Sequence, residues 1–136
     1  MTNAVTIEIN QGVADVRLNR PEKRNAIDSD VMTGLLSAIE QIKTNKKVRV
    51  VVLSGAGKSF CAGLDMASIG DMLSGDLTSD DAASAYDDLS ATGANRAQQL
   101  GWGWQELEVP VIAAIHGGAM GGGLNIALGA DIRIVT

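Results

Sequence analysis

The sequence predicts an α/β fold, and three observations carry the prediction. Two segments near the N-terminus alternate apolar and polar residues, two later segments are continuous apolar runs, and apolar positions at helical spacing lie between them. Alternation reads as half-buried strand, an unbroken apolar run as strand covered on both faces, and spacing of three and four residues as an amphipathic helix. Strand, helix, strand in that order implies a parallel crossover.

Val5 to Ile9 and Val13 to Leu18 form the alternating pair, joined by the turn residues Asn10-Gln11-Gly12, so the chain opens with a hairpin. Pro21 stops the second strand. Asp28 or Ser29 caps a helix whose apolar positions are Val31, Leu35, Ala38, Ile39 and Ile42, and Asn45 ends it. Val48 to Leu53 is the first apolar run, expected to be buried on both faces. Residues 69–88 scatter Asp71, Asp76, Asp80, Asp81, Asp87 and Asp88 among serine, glycine and alanine, which predicts a surface loop, either a solvated acidic connection or a lid over a ligand site. Ala91 to Leu107 reads as a helix carrying Leu100, Trp104 and Leu107, weakened by Gly101 and Gly103. A strand at 109–115, a helix at 122–129 and a strand at 131–136 complete the series, with no sequence repeat.

Composition narrows the function. A chain of 136 residues, 46% hydrophobic and 20% charged, suits one globular domain over 1–136. The net charge of -5 argues against a nucleic-acid partner, because neutralising phosphates needs a basic surface. No apolar run nears the roughly 20 residues that span a bilayer, and Met1 to Glu8 lacks the basic and apolar sections of a signal peptide, so a cytoplasmic protein is expected. The lone Cys61 forms no intrachain disulfide and, with no neighbouring histidine, reads as a buried thiol. His116 has no second histidine to share a metal, and no metal site is expected.

Two segments share one design. In Val109-Pro110-Val111-Ile112-Ala113-Ala114-Ile115-His116-Gly117-Gly118-Ala119-Met120-Gly121-Gly122-Gly123-Leu124-Asn125 an apolar strand enters a glycine turn that opens a helix. In Val50-Val51-Val52-Leu53-Ser54-Gly55-Ala56-Gly57-Lys58-Ser59-Phe60-Cys61-Ala62-Gly63-Leu64-Asp65-Met66 another apolar strand enters a turn of small residues. Glycines let a ligand approach the main chain, whose unpaired N–H groups then receive an anion or a developing oxyanion. The Gly55-Ala56-Gly57-Lys58-Ser59 stretch is not a nucleotide P-loop, because Val52 stands where that motif needs glycine, and Phe60 breaks the dinucleotide fingerprint.

With Asn19-Arg20-Pro21-Glu22-Lys23-Arg24-Asn25-Ala26, these segments resemble the crotonase superfamily, the enoyl-CoA hydratases and isomerases, across nearly the whole chain. The resemblance implies the N-terminal portion of a crotonase-like (ClpP/crotonase) beta-beta-alpha spiral acting on an acyl-CoA thioester. It implies that the backbone N–H groups of Leu64 and Gly122 form an oxyanion hole, and that Arg24, Ala62, Gly63, Asp65, Met66, Met120 and Gly121 contact substrate. The cluster Arg20, Lys23 and Arg24 either meets CoA or is a solvated turn. Asp65 is either a substrate contact or, more simply, a cap or salt-bridge partner. Met66, Trp102, Trp104 and Met120 line an acyl pocket or belong to the core, the latter favoured for Trp104.

Asn125 stands where the hydratases typically carry a glutamate, and an amide is no general acid or base. The second carboxylate of the family's pair would lie past Thr136, and family members are about twice as long. The expectation is therefore a hydratase or isomerase, or a fragment or split half of one, or a non-catalytic acyl-CoA-binding protein. Within the enzymes, the Ala62-Gly63-Leu64-Asp65 and Ile115-His116-Gly117-Gly118 wording also resembles dienoyl-CoA isomerase. No cofactor is implied, CoA being part of the substrate. The implied partners are further copies, as a trimer or hexamer, or a complementary C-terminal half.

Overall fold

The structure is a computed structural model and describes residues 4–68 and 90–136. Strand β1, Val5–Asn10, pairs antiparallel with β2, Val13–Leu18, in the register Val5 to Leu18 through Asn10 to Val13. Gln11 at φ 49 and Gly12 at φ 85 make the two-residue link, the positive angles matching the twist of a hairpin. After a short 3-10 turn at Pro21–Lys23, helix α1 spans Ser29–Thr44, and Asp28 settles the capping question by accepting from the Val31 N–H at 2.9 Å.

Strand β3, Val50–Gly55, helix α2, Arg96–Gln105, strand β4, Val111–Ile115, helix α3, Gly122–Leu128, and strand β5, Ile132–Val135, follow. The sheet order is β1-β2-β3-β4-β5, with β2 to β5 mutually parallel. The α/β expectation stands.

One face of the sheet carries the core. Val16, Leu18, Val51, Leu53, Val111 and Ala113 lie beneath Val31, Leu35 and Ile39 of α1, Leu100 and Trp104 of α2 and Ile126 of α3. Trp104 belongs to this core, 1% exposed, its indole N–H donating to Leu100 O at 2.8 Å.

Three expectations need correction. First, β3 is covered on one side: Val51 and Leu53 are buried whereas Val50 and Val52 are half-buried, because helices pack on one face. It also starts at Val50, since the Val48 N–H closes a turn onto Asn45 O and the Arg49 N–H donates to Gly12 O.

Second, α2 begins at Arg96 and not at Ala91. Asn95 and Gln98 form a reciprocal capping box, each side chain accepting the other's backbone N–H at 2.9 Å, while residues 90–94 close a turn through Gly93 at φ 83. Third, the glycines that seemed to weaken α2 are its contacts. A Cβ on Gly101 would meet Asn125 O at 2.9 Å, one on Gly129 would collide with Gly101 O, and one on Gly103 would meet Ile39 Cδ1 at 2.8 Å. Backbone approach between α2 and α3 excludes any side chain there. The predicted acidic loop, 69–88, lies outside the described residues.

Candidate functional site

Both glycine turns leave the C-terminal ends of neighbouring strands, β3 and β4, and the sheet brings them edge to edge. The Cys61 N–H donates to Gly118 O at 3.0 Å and the Met120 N–H to Cys61 O at 3.0 Å, a short parallel bridge between Cys61 and Ala119. Gly63, at φ +91, lies so close to the second turn that a Cβ would meet Met120 O at 2.8 Å. Gly123 carries no side chain because Cys61 Cβ and O would each stand 2.6 Å from it. Cys61 is fully buried, its Sγ donates to Asn25 O at 3.0 Å, and burial raises its thiol pKa, so it is a packing thiol.

Leu64 is gripped from one side. The Ile27 N–H donates to Gly63 O at 2.7 Å and the Asp65 N–H donates to Ile27 O at 2.9 Å, so Leu64 bridges Ile27 in strand fashion. In such pairing the central residue's own N–H and C=O point away from the partner. The Leu64 N–H therefore faces outward, and among the described residues no acceptor takes it or the Gly122 N–H, which opens α3 behind Gly121 at φ +52. The rim is apolar and open: Leu64 is 50% exposed, Met66 77%, Met120 53% and Leu124 46%.

A residue that sequence reasoning passed over holds the arrangement together. Asn25 is fully buried at φ 57, its amide donating to Ala56 O and Ser59 O at 2.9 Å and to Phe60 O at 3.1 Å, while its Oδ1 accepts from the Arg20 N–H at 2.8 Å. Its two N–H donors, shared among three carbonyls, and its one accepting oxygen tie the Arg20 to Asn25 turn to residues 56–60, just ahead of the first donor turn. The signal was an asparagine, tolerant of positive φ, directly before the apolar pair Ala26-Ile27.

Arg20 is not a free cation. Its Nη1 lies 2.9 Å from Asp28 Oδ2 and 3.3 Å from Asp65 Oδ2 and donates to Ala26 O at 2.8 Å. Lys23 and Arg24 are exposed. Asp65 is buried, its Oδ1 accepting from the Ala67 N–H at 3.0 Å, and that bond, followed by Arg20 and the charge of Lys23, holds its carboxyl below the usual range. The cap and salt-bridge reading of Asp65 is the one its contacts match.

The profile of the enoyl-CoA hydratase/isomerase family matches residues 8–136. The chain belongs to that family. It is 35% identical over 130 residues to a probable enoyl-CoA hydratase of Mycobacterium tuberculosis, covering 96% of this chain and 46% of that protein. It is 37% identical over 133 residues to the (E)-benzylidenesuccinyl-CoA hydratase of Thauera aromatica, covering 97% of this chain and 46% of that protein. A solved enoyl-CoA hydratase/carnithine racemase of Magnetospirillum magneticum superposes with a TM-score of 0.77 at 32% identity, over 97% of this chain and 46% of that one. The chain spans less than half the length of these relatives. The crotonase-like fold expected from the three motifs is the fold of these neighbours.

Within this family member, Ala62, Gly63, Leu64, Met66, Met120, Gly121 and Gly122 gather around the two turns. Asn125 lies one turn into α3, exposed, beside an open groove of about 510 Å³ that Gln98, Trp102, Gln105 and Leu128 also line. Trp102 is thus a surface residue, 51% exposed, and not core. His116 Nε2 lies 2.8 Å from Gly57 O. Among the described residues there is no cluster of three metal-ligating side chains and no helix long and apolar enough to cross a membrane.

Proposed function

We propose that these residues are the oxyanion hole of an acyl-CoA enzyme, the backbone N–H groups of Leu64 and Gly122 donating to the thioester carbonyl oxygen. One observation carries the reading: two turns of unrelated sequence are bonded edge to edge, and each presents a backbone donor that no acceptor among the described residues takes. Two fixed donors in an apolar setting stabilise enolate character on that oxygen. Drawing electron density onto it makes Cβ of an enoyl thioester electrophilic toward water and the Cα hydrogens of a saturated or 3-enoyl thioester acidic. Hydration and double-bond isomerisation both start there.

The thioester lies against Ala62, Gly63 and Gly121, with Met66 and Met120 closing over it, and the exposed Lys23 and Arg24 meet the CoA phosphates. CoA enters as part of the substrate, and no separate cofactor is required. Asn125 orients water or substrate by hydrogen bonding but exchanges no proton. Asp28 and Asp65 are both engaged by Arg20, so proton transfer falls to groups outside the described residues. The assembly is a homo-trimer or hexamer, or this chain with a complementary C-terminal half, in the cytoplasm. Asn125 favours one second reading, an acyl-CoA-binding protein that retains the hole and does no chemistry.

Calorimetric titration with crotonyl-CoA and with free CoA, alongside loss of the enoyl absorbance, tests both. Thioester-selective binding with turnover is the expected result. Binding without turnover selects the second reading, and equal or no affinity for the two ligands overturns both.

A further inference from the structure

We propose that Arg20 is a positioning residue for the oxyanion hole: its guanidinium fixes the direction of the Leu64 N–H through Ala26, Asp28 and Asp65. The inference rests on the reading of Leu64 as a donor. Leu64 has no strand neighbour of its own and takes its direction from a single bridge to Ile27. Arg20 Nη1 touches three of the four residues that flank this bridge, all but Gly63. It reaches Ala26 O before Ile27 at 2.8 Å, Asp28 Oδ2 after Ile27 at 2.9 Å and Asp65 Oδ2 after Leu64 at 3.3 Å.

Both carboxylates are anchored further. Asp28 caps α1 through the Val31 N–H at 2.9 Å, so the helix that fills the core is tied to the same nitrogen. Asp65 caps the next turn through the Ala67 N–H at 3.0 Å. The backbone N–H of Arg20 is itself held by Asn25 Oδ1 at 2.8 Å, which sets where the guanidinium starts from. Side-chain exposures of 18% for Arg20, 21% for Asp28 and 10% for Asp65 keep the cluster mostly out of water, where ion pairs are poorly screened. Without the cation, two carboxylates converging on one point repel, and the displacement falls on Asp65, next to the donor. A fixed donor aimed slightly wrong stabilises the transition state less while leaving most ground-state contacts in place.

The test reads the thioester carbonyl directly. Butyryl-CoA carrying ¹³C at the thioester carbonyl is bound to the protein in its native assembly, and its carbonyl stretch is recorded by isotope-edited infrared spectroscopy, with affinity from calorimetry. Three variants are compared: Arg20→Met, Arg20→Lys, and Asp65→Asn, whose single amide oxygen serves Ala67 and leaves an NH₂ facing Arg20.

In the wild-type protein the band is expected to move to lower frequency than free ligand. In Asp65→Asn and Arg20→Lys it returns at least halfway, with affinity within about threefold, and turnover falls about tenfold in kcat with KM nearly unchanged. Variants, Arg20→Met included, whose bound band stays at the wild-type position with kcat unchanged overturn the positioning role. Variants that all fail to fold, by circular dichroism, overturn it too, making Arg20 a stability residue. A wild-type band that does not shift on binding refutes the oxyanion-hole reading itself, which separates the two failures.

Discussion

At the residue scale the site rests on Asn25, Gly63 and Gly122, each constrained for a different physical reason. Asn25→Ala leaves three carbonyls and one N–H without their partner in a buried place, and it puts alanine at φ 57. Chemical denaturation should show a loss of about 3 kcal/mol, with Asn25→Asp at least as severe because a carboxylate would face three carbonyl oxygens. Gly63→Ala fails by collision with Met120 O as well as by its φ of +91. Gly122 is different. Its φ is not positive and it stands at the first helical position, where proline is tolerated, so Gly122→Pro deletes one N–H, sets a ring methylene in its place, and brings a Cβ to 2.9 Å from the Ile27 Cδ1 tip. If Gly122 is a donor, steady-state kinetics on crotonyl-CoA should show a fall in kcat of roughly 100-fold or more with the melting temperature little changed.

At the scale of elements, α2 inverts the usual rule for glycine in a helix. Gly101→Ala would ordinarily gain about 1 kcal/mol of helix propensity. Here its Cβ would meet the Asn125 carbonyl, and the α2 and α3 backbones would be forced apart. Thermal denaturation should therefore show Gly101→Ala and Gly129→Ala losing about 1–3 kcal/mol, as in overpacked cores. Gly93→Ala is the control: nothing lies within 4 Å of its Cβ, so only the strain of φ +83 counts. The same packing carries α3, and with it Gly122 and Asn125, to a fixed height above the sheet. A stability defect in the α2–α3 contact should hence appear also as weaker thioester binding.

At the scale of the whole molecule, acid stability follows, among the described residues, from two carboxyls held below their usual range. Asp65 is lowered by the Ala67 N–H and then by Arg20 and Lys23, and Glu106 by Thr92 and then by Lys43. A carboxyl with a lower pKa folded than unfolded contributes stability that is complete above its unfolded pKa and lost as pH falls through its folded value. The melting temperature is expected to be flat down to about pH 5 and to fall below about pH 4. Lys43, raised by its bond with Glu106, has the opposite sign, stabilising below its unfolded pKa and losing that contribution only as pH rises through the alkaline folded value. Glu106→Gln should flatten both limbs. The far edge of the sheet gives a second expectation: Ile132 is 51% exposed, Ile134 58% and Val135 68%, an apolar strand that water does not favour. Native mass spectrometry is expected to return an assembly in which this edge is covered, and a soluble monomer would count against the proposed oligomer.

Periodicity and turn chemistry in the sequence determined that there are five strands, α1 and α3, though not where β3 begins, because each depends on local spacing, and two glycine turns with Asn19 to Ala26 determined the family. The capping box of α2 was equally local, written as Asn95 and Gln98, but the expected helix ran past it to Ala91. What only the tertiary structure decided depends on residues far apart in the chain. Burial of Asn25 against residues 56–60, the ring of oxygens around Arg20, and the use of Gly101 as a seat for α3 are long-range contacts that no window of sequence contains. The same is true of which N–H groups remain unpaired, since a donor is left open only after every other segment has taken its place.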